Sequence, residues 1–301
     1  MDIISKRKIF YIVSSVLLGA GIVAIIIWGI KFGIDFKGGS LLVISGSPSE
    51  ELVKTTFKEQ GIEDAQIQRS QDGTLVRFQS VEQGKKNEIV SKLKEKDANI
   101  QERSFQFVGP TVGKDLTNKG IWALVLASIA IILYIAYSFR EVPKPANSWR
   151  FGVTAVVALL HDVIFVIGFW AVYSHFTNAE IDSLFIPAIL TIIGFSVHDT
   201  IVVFDRTREN LRKHRVESAQ AFSEVANTSL SQTVIRSLST SFTVILTLLS
   251  LYLLGGESIK NFTLTLLVGI TAGTYSSIFV ATALLVSWQN WGDRKKVAKA
   301  A

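Results

Sequence analysis

Cysteine is absent from the 301 residues. Disulfides and cysteine-based metal sites are therefore excluded, although the absence leaves the compartment open. Charge is scarce as well: Asp, Glu, Lys and Arg make up 19% of the chain, against about 25% in ordinary soluble domains. Apolar residues take up the difference, at 49% with a mean hydropathy of +0.37. They gather in long runs rather than at the periodicity of a soluble core.

Six runs reach the length a bilayer demands, about 20 residues. They are Ile9–Ile30, Ile121–Phe139, Phe151–Ser174, Ser183–Phe204, Ser237–Gly256 and Asn261–Gly292. The last exceeds the need and is expected to tilt or project. Backbone polar groups in lipid must be satisfied internally, so all six read as helices.

The loops set the orientation. Lys6, Arg7 and Lys8 precede span one, and Arg140, Lys144 and Arg150 separate spans two and three. Arg206, Arg208, Arg212, Lys213, Arg215 and Arg236 lie between spans four and five, and Arg294, Lys295, Lys296 and Lys299 follow span six. The short alternate loops hold only Lys260. The positive-inside rule puts both termini in the cytoplasm. This asymmetry accounts for the net charge of +6 and pI of 9.4 without nucleic-acid binding. The first run has a basic start, but its apolar stretch exceeds the roughly 7–15 residues of a signal peptide. A retained anchor is expected.

The expected organisation is 1–30 as cytoplasmic start and first helix, 31–119 as an extracytoplasmic domain, 120–292 as helices two to six, and 293–301 as a basic tail. Within the outer domain, Leu41–Ser45, Ala65–Arg69, Thr74–Gln79 and Ile100–Val108 read as strands. Ser47-Pro48-Ser49-Glu50 reads as a capping box with Pro at the first helical position, before a helical stripe of Leu52, Val53 and Phe57. Gln71-Asp72-Gly73 is a hairpin signal, and Ile89, Val90 and Leu93 mark a second helix. Phe105 and Phe107 share one face of the last strand. The order fits a ferredoxin-like α+β domain; about 90 residues suffices for a core. It carries no nucleophile–base pair, phosphate loop or metal-ligand cluster, so a lever or binding surface is expected rather than an enzyme. Its two junctions hold Gly33, Asp35, Phe36, Gly38 and Gly39 on one side, and Gly109, Pro110 and Gly113 on the other. These are either turns that need glycine dihedrals or hinges.

Charges inside the spans need a reason. A carboxyl in hydrocarbon costs a few kcal/mol on lenient scales and far more on others. Asp199, with His198 before it, lies past the middle of span four; His161 and Asp162 lie near the centre of span three. Each carboxylate is either a proton carrier or a hydrogen bond between helices. Adjacent His and Asp on a helix point about 100 degrees apart, so a shared metal ion is not expected. Asp205, Arg206, Arg208 and Glu209 read as solvated end charges. Leu211–Val225 reads as a basic amphipathic helix on the inner leaflet. Gly269, Gly273, Ser276 and Ser277 read as a small-residue packing face.

Several motifs together resemble the SecD/SecF family, specifically its SecF members. They are GIDFKGGS after span one, VGPTVGKDL before span two, HDV in span three, GFSVHDTIVVFDRTREN in span four, SLSQTVIRSLSTS into span five and GTYSSIF in span six. The resemblance runs from about Lys31 to Trp288 and places the chain in the resistance-nodulation-division superfamily. It implies a protein-export subunit without covalent chemistry or cofactor, embedded in membrane lipid. Its implied partners are SecD, the SecYEG channel and the translocating preprotein, and its implied energy source is the proton motive force. Asp199 matches the family's span-four aspartate and Arg236 the arginine opening span five. Arg236, always charged, either holds and releases the Asp199 charge or snorkels to the interface. His198 departs from the family's usual asparagine; it either joins the relay or substitutes as a neutral hydrogen-bonding group. Two other readings remain: a proton-coupled exporter of lipids or small molecules, and a passive scaffold for SecD and SecYEG.

Overall fold

The computed structural model describes residues 2–46, 48–63, 65–70, 73–140, 142–143, 147–213 and 219–300. The chain divides into two compact units, one of Met1–Gly29, Ala123–Tyr173 and Leu184–Ala301, the other of Ile30–Trp122 and Ser174–Ser183.

The first unit is helical. Its elements are α1 (Arg7–Trp28), most of α5 (Pro110–Ser138), α6 (Ser148–Thr177), α7 (Phe185–Lys213), α8 (Ala219–Leu254), α9 (Lys260–Ser276) and α10 (Thr282–Ala300). Six helical stretches are long and apolar enough to cross a membrane, one for each run in the sequence. Most extend beyond the apolar runs, because a helix satisfies its own backbone whether or not its side chains are apolar. Pro110 opens α5, a position where its missing N–H costs nothing. The sixth span is interrupted by a π-helical turn at Ser277–Ala281. Of the expected inner-leaflet helix, Leu211–Lys213 closes α7 and Ala219 opens α8; residues 214–218 lie outside the described residues.

Small residues bring these helices together. A Cβ on Gly168 of α6 would stand 2.6 Å from Gly21 Cα of α1. On α9, a Cβ on Gly269 would collide with Ile192 Cδ1 of α7, and one on Gly273 would stand 3.1 Å from Ser196 Cβ. The small-residue face read from the sequence is therefore a packing face. Gly269→Val is expected to cost about 1–3 kcal/mol by overpacking, seen as a lower Tm in lipid nanodiscs. Phe139, Phe151 and Phe204 tie α5, α6 and α7 with ring centroids 5.1–6.3 Å apart.

The second unit contains α2 (Ile34–Lys37), β1 (Gly39–Ile44), α3 (Glu50–Glu59), β2 (Gln66–Ser70), β3 (Gly73–Phe78), α4 (Gln83–Lys96) and β4 (Glu102–Val108). The four strands form one antiparallel sheet in the order β2-β3-β1-β4. Burial alternates along β1 and β3, as period-2 side chains require. Leu42, Ile44 and Val76 from the sheet close on Val53 and Phe57 of α3 and Ile89 and Leu93 of α4. Phe105 joins this core while Phe107, two residues on, is half exposed.

Two local readings change. Helix α3 is capped by Ser49, whose hydroxyl accepts from Leu52 N at 3.2 Å, and it begins at Glu50. The cap thus falls two residues later than the Ser47 box, and Ser47 itself lies outside the described residues. Gln71 and Asp72 of the hairpin signal also lie outside them, but β2 and β3 do pair through Ser70 and Gly73. The segment Gly33–Ser40 is not a plain turn: α2 occupies its centre, and Gly38 and Gly39 follow with φ of +77° and +145°. Only glycine holds such angles without strain.

Candidate functional site

The deepest charge is Asp162 on α6, at 1% exposure. Its Oδ2 accepts from Ser196 Oγ of α7 at 2.6 Å and from Ser276 Oγ of α9 at 2.8 Å. Its Oδ1 lies 3.0 Å from His161 Nδ1. One carboxylate is thus held by three helices, and Gly273 leaves the space for it. Hydroxyls continue the polar seam. Ser277 Oγ donates to the Ser196 carbonyl at 3.0 Å, and Thr200 Oγ1 donates to Ser277 Oγ at 2.9 Å. Ser276 and Ser277 sit where α9 gives way to the π turn, a distortion that recurs at functional sites.

Asp199 immediately precedes Thr200 on the same helix, at 5% exposure. Its surroundings differ from those of Asp162. Asp199 Oδ2 and the hydroxyl of Ser237 on α8 are both buried and lie close enough to interact, but neither makes a well-formed hydrogen bond among the described residues. An unpaired buried polar atom is costly, so Asp199 has free capacity for a proton or a changed partner where Asp162 has little.

The other sequence candidates stand apart from this pair. Arg236 is exposed on α8, one residue before buried Ser237, and forms no ion pair with Asp199 among the described residues. His198 is exposed on α7. Among the described residues His161 Nε2 is buried without a hydrogen-bond partner, beside the Tyr275 ring at 6.3 Å between centroids. Asp205 pairs with Arg208, and Glu209 with Arg206 and Lys213, in line with end charges. Ser196 and Ser237 escaped the sequence reading, which placed Ser276 on a packing face without linking it to Asp162. Serines in spans are common, and only their convergence on two carboxylates marks these.

In the second unit, the junction residues gather around Ser174–Ser183, the connection from α6 to α7. Gly33 N donates to Ile181 O and Ile181 N to Lys31 O, both at 2.9 Å. Ser183 N donates to Asp35 Oδ2 at 2.8 Å, and Lys31 Nζ to Asn178 Oδ1 at 2.7 Å. Arg77 Nε of β3 lies 2.8 Å from Glu180 Oε2, both largely buried. Burial lifts the Glu180 carboxyl above its usual value, while Arg77, Lys37 and Lys31 pull the other way. On the far side, Gly109 precedes α5, Pro110 begins it, and a Cβ on Gly113 would stand 2.8 Å from Phe36 O. Gly33, Asp35 and Phe36 thus belong to a clasped segment, and Gly113 to a close helix contact.

Residues 88–291 match the family described as protein export membrane protein SecD/SecF, C-terminal, and residues 23–50 match the SecD/SecF GG motif. The second match contains the clasped Gly33–Gly39 segment, and the first contains both carboxylates. The chain is 42% identical to the protein translocase subunit SecF of Thermobaculum terrenum, over 96% of this chain and 94% of that one. It is 34% identical to SecDF of Bacillus subtilis, over 99% of this chain but 39% of the relative. The crystal structure of SecDF from Thermus thermophilus, a translocon-associated membrane protein, superposes with a TM-score of 0.83 at 29% identity, over 96% of this chain and 39% of that one. The chain therefore spans less than half of the SecDF proteins and nearly the whole of the SecF relative. By family match, identity and coverage, the chain belongs to the SecD/SecF family of protein export membrane proteins, among its SecF members.

Proposed function

We propose that this chain is an accessory subunit of the Sec protein-export machinery that works with SecD and the SecYEG channel and uses the proton motive force to promote preprotein translocation. Both termini are cytoplasmic in this reading, and the βαββαβ unit is a ferredoxin-like extracytoplasmic domain. The observation that carries the proton role is the contrast between the two buried carboxylates: Asp162 accepts from two serine hydroxyls and lies beside His161, while Asp199 Oδ2 makes no well-formed hydrogen bond among the described residues and has the Ser237 hydroxyl beside it. Asp199 is the proton carrier and Asp162 the tie between α6, α7 and α9. The exposed positions of Arg236 and His198 support a role toward the SecD half, which the longer SecDF relatives carry in one polypeptide. The test is Asp199→Asn, with proton-dependent export as the readout.

Motion needs a route to the outer domain, and the Ser174–Ser183 clasp supplies one. It is covalently continuous with α6 and α7, which carry Asp162 and Asp199, and it is bonded to Gly33, Asp35 and Arg77. Asp35→Ala removes the acceptor of Ser183 N. It is expected to speed amide exchange at residues 181–183 and to lower proton-driven stimulation with Asp199 intact. Unchanged exchange would remove the clasp from the mechanism. Arg77→Ala removes the largest of the positive charges acting on Glu180, at a cost between about 1 kcal/mol for an exposed pair and 3–5 kcal/mol for a buried one.

A further inference from the structure

The sheet of the second unit ends at β2, and among the described residues no strand lies on its outer side. A terminal strand presents a row of unpaired N–H and C=O groups. Beside it is a cavity of about 540 Å³. Ala65, Gln66, Ile67 and Gln68 all line that cavity. Side chains alternate between faces along a strand, so a cavity over one face meets every second residue. Contact with three successive residues of β2, Gln66, Ile67 and Gln68, carries this cavity past the edge, and Arg77 of β3 extends it over one face. Lys31, Phe32 and Glu180 line the same cavity, so the edge borders a groove.

We propose that this groove receives an extended segment of the translocating polypeptide, which adds to the sheet as a strand beside β2. The inference rests on the export function proposed above. Strand addition draws its affinity from main-chain hydrogen bonds, which every polypeptide offers whatever its sequence. A subunit that handles many clients needs that indifference. The wall chemistry agrees. Lys54 pairs with Glu50 and Arg77 with Glu180, each at 2.8 Å, and Lys31 and Lys37 also line the cavity, so both signs are present with an excess of positive charge. Phe32, at 38% exposure, and half-buried Ile67 give apolar side chains a footing. The other terminal strand, β4, contributes no residue to this cavity.

The test uses the full chain with its partner subunit in membrane vesicles. A photo-crosslinking amino acid replaces Gln66 or Gln68, or the exposed Glu95 on α4 as control, and a client protein is arrested in mid-translocation. Adducts to the client from positions 66 and 68 but not 95 are expected. A short unstructured Thr/Val peptide should compete for them, and its N-methylated form about tenfold less well, as one lost set of main-chain bonds implies. Adducts only to the partner subunit or to a second copy would overturn the proposal. So would equal yield at position 95, or equal competition by the N-methylated peptide. If the adducts fail while Asp199→Asn still abolishes stimulation, the groove assignment alone is wrong. If Asp199→Asn has no effect, the export mechanism on which it rests is wrong.

Discussion

Asp199→Asn is expected to remove proton-driven stimulation of export while leaving the subunit folded and assembled with its partner. Asparagine has nearly the same shape and fits the same space between α7 and α8. Asp199 Oδ2 makes no well-formed hydrogen bond that the change would break, and a neutral amide is cheaper than a carboxylate within a span. Stability should therefore hold or rise slightly. The amide cannot take up or release a proton at working pH, so stimulation should fall to the level of membranes lacking the subunit. Export into vesicles, with and without an uncoupler, measures this. Full stimulation by the variant would refute the carrier role, and loss of partner binding would favour the passive scaffold.

Asp162 is expected to separate its two substitutions. Asp162→Asn keeps an oxygen able to accept from both Ser196 and Ser276, so α6, α7 and α9 should stay joined and stimulation should survive. Asp162→Leu strands the Ser196 hydroxyl in a buried site and leaves the Ser276 hydroxyl only its longer 3.2 Å bond to the Gly273 carbonyl. An unsatisfied group costs about 1–3 kcal/mol, a sizeable part of the 5–15 kcal/mol that typically stabilises a domain. A marked fall in Tm and poor assembly should follow. If Asp162→Asn instead loses stimulation as completely as Asp199→Asn, both carboxylates carry protons.

Much of the fold was legible because membrane and sheet impose strict periodicities. Hydrocarbon forces helical runs of a set length, and six were readable. The alternation of Leu42 and Ile44 against Val76 and Phe78 likewise announced the sheet. The ends were less legible. Polar residues continue a helix as readily as apolar ones, so α8 begins at Ala219, well before its apolar run. The α3 cap fell on Ser49 rather than Ser47, since either serine can accept from a helix N-terminus.

At the candidate site, residue type alone told that Asp162 and Asp199 need an explanation, because a carboxyl in a span is expensive at any position. It could not rank them. Satisfaction is a property of neighbours: Ser196 and Ser276 lie on two other helices and reach Asp162 only when Gly273 lets α9 approach. Nor could the sequence pair Asp35 with Ser183 or Arg77 with Glu180, contacts between residues more than a hundred positions apart. Composition and spacing thus determined a helical membrane unit with an inserted sheet and buried acids, because solvent acts on each residue locally. Only the tertiary structure decided which serines surround each acid, what clasps the junction and which strands end the sheet, because each of these depends on partners that the chain brings together by folding.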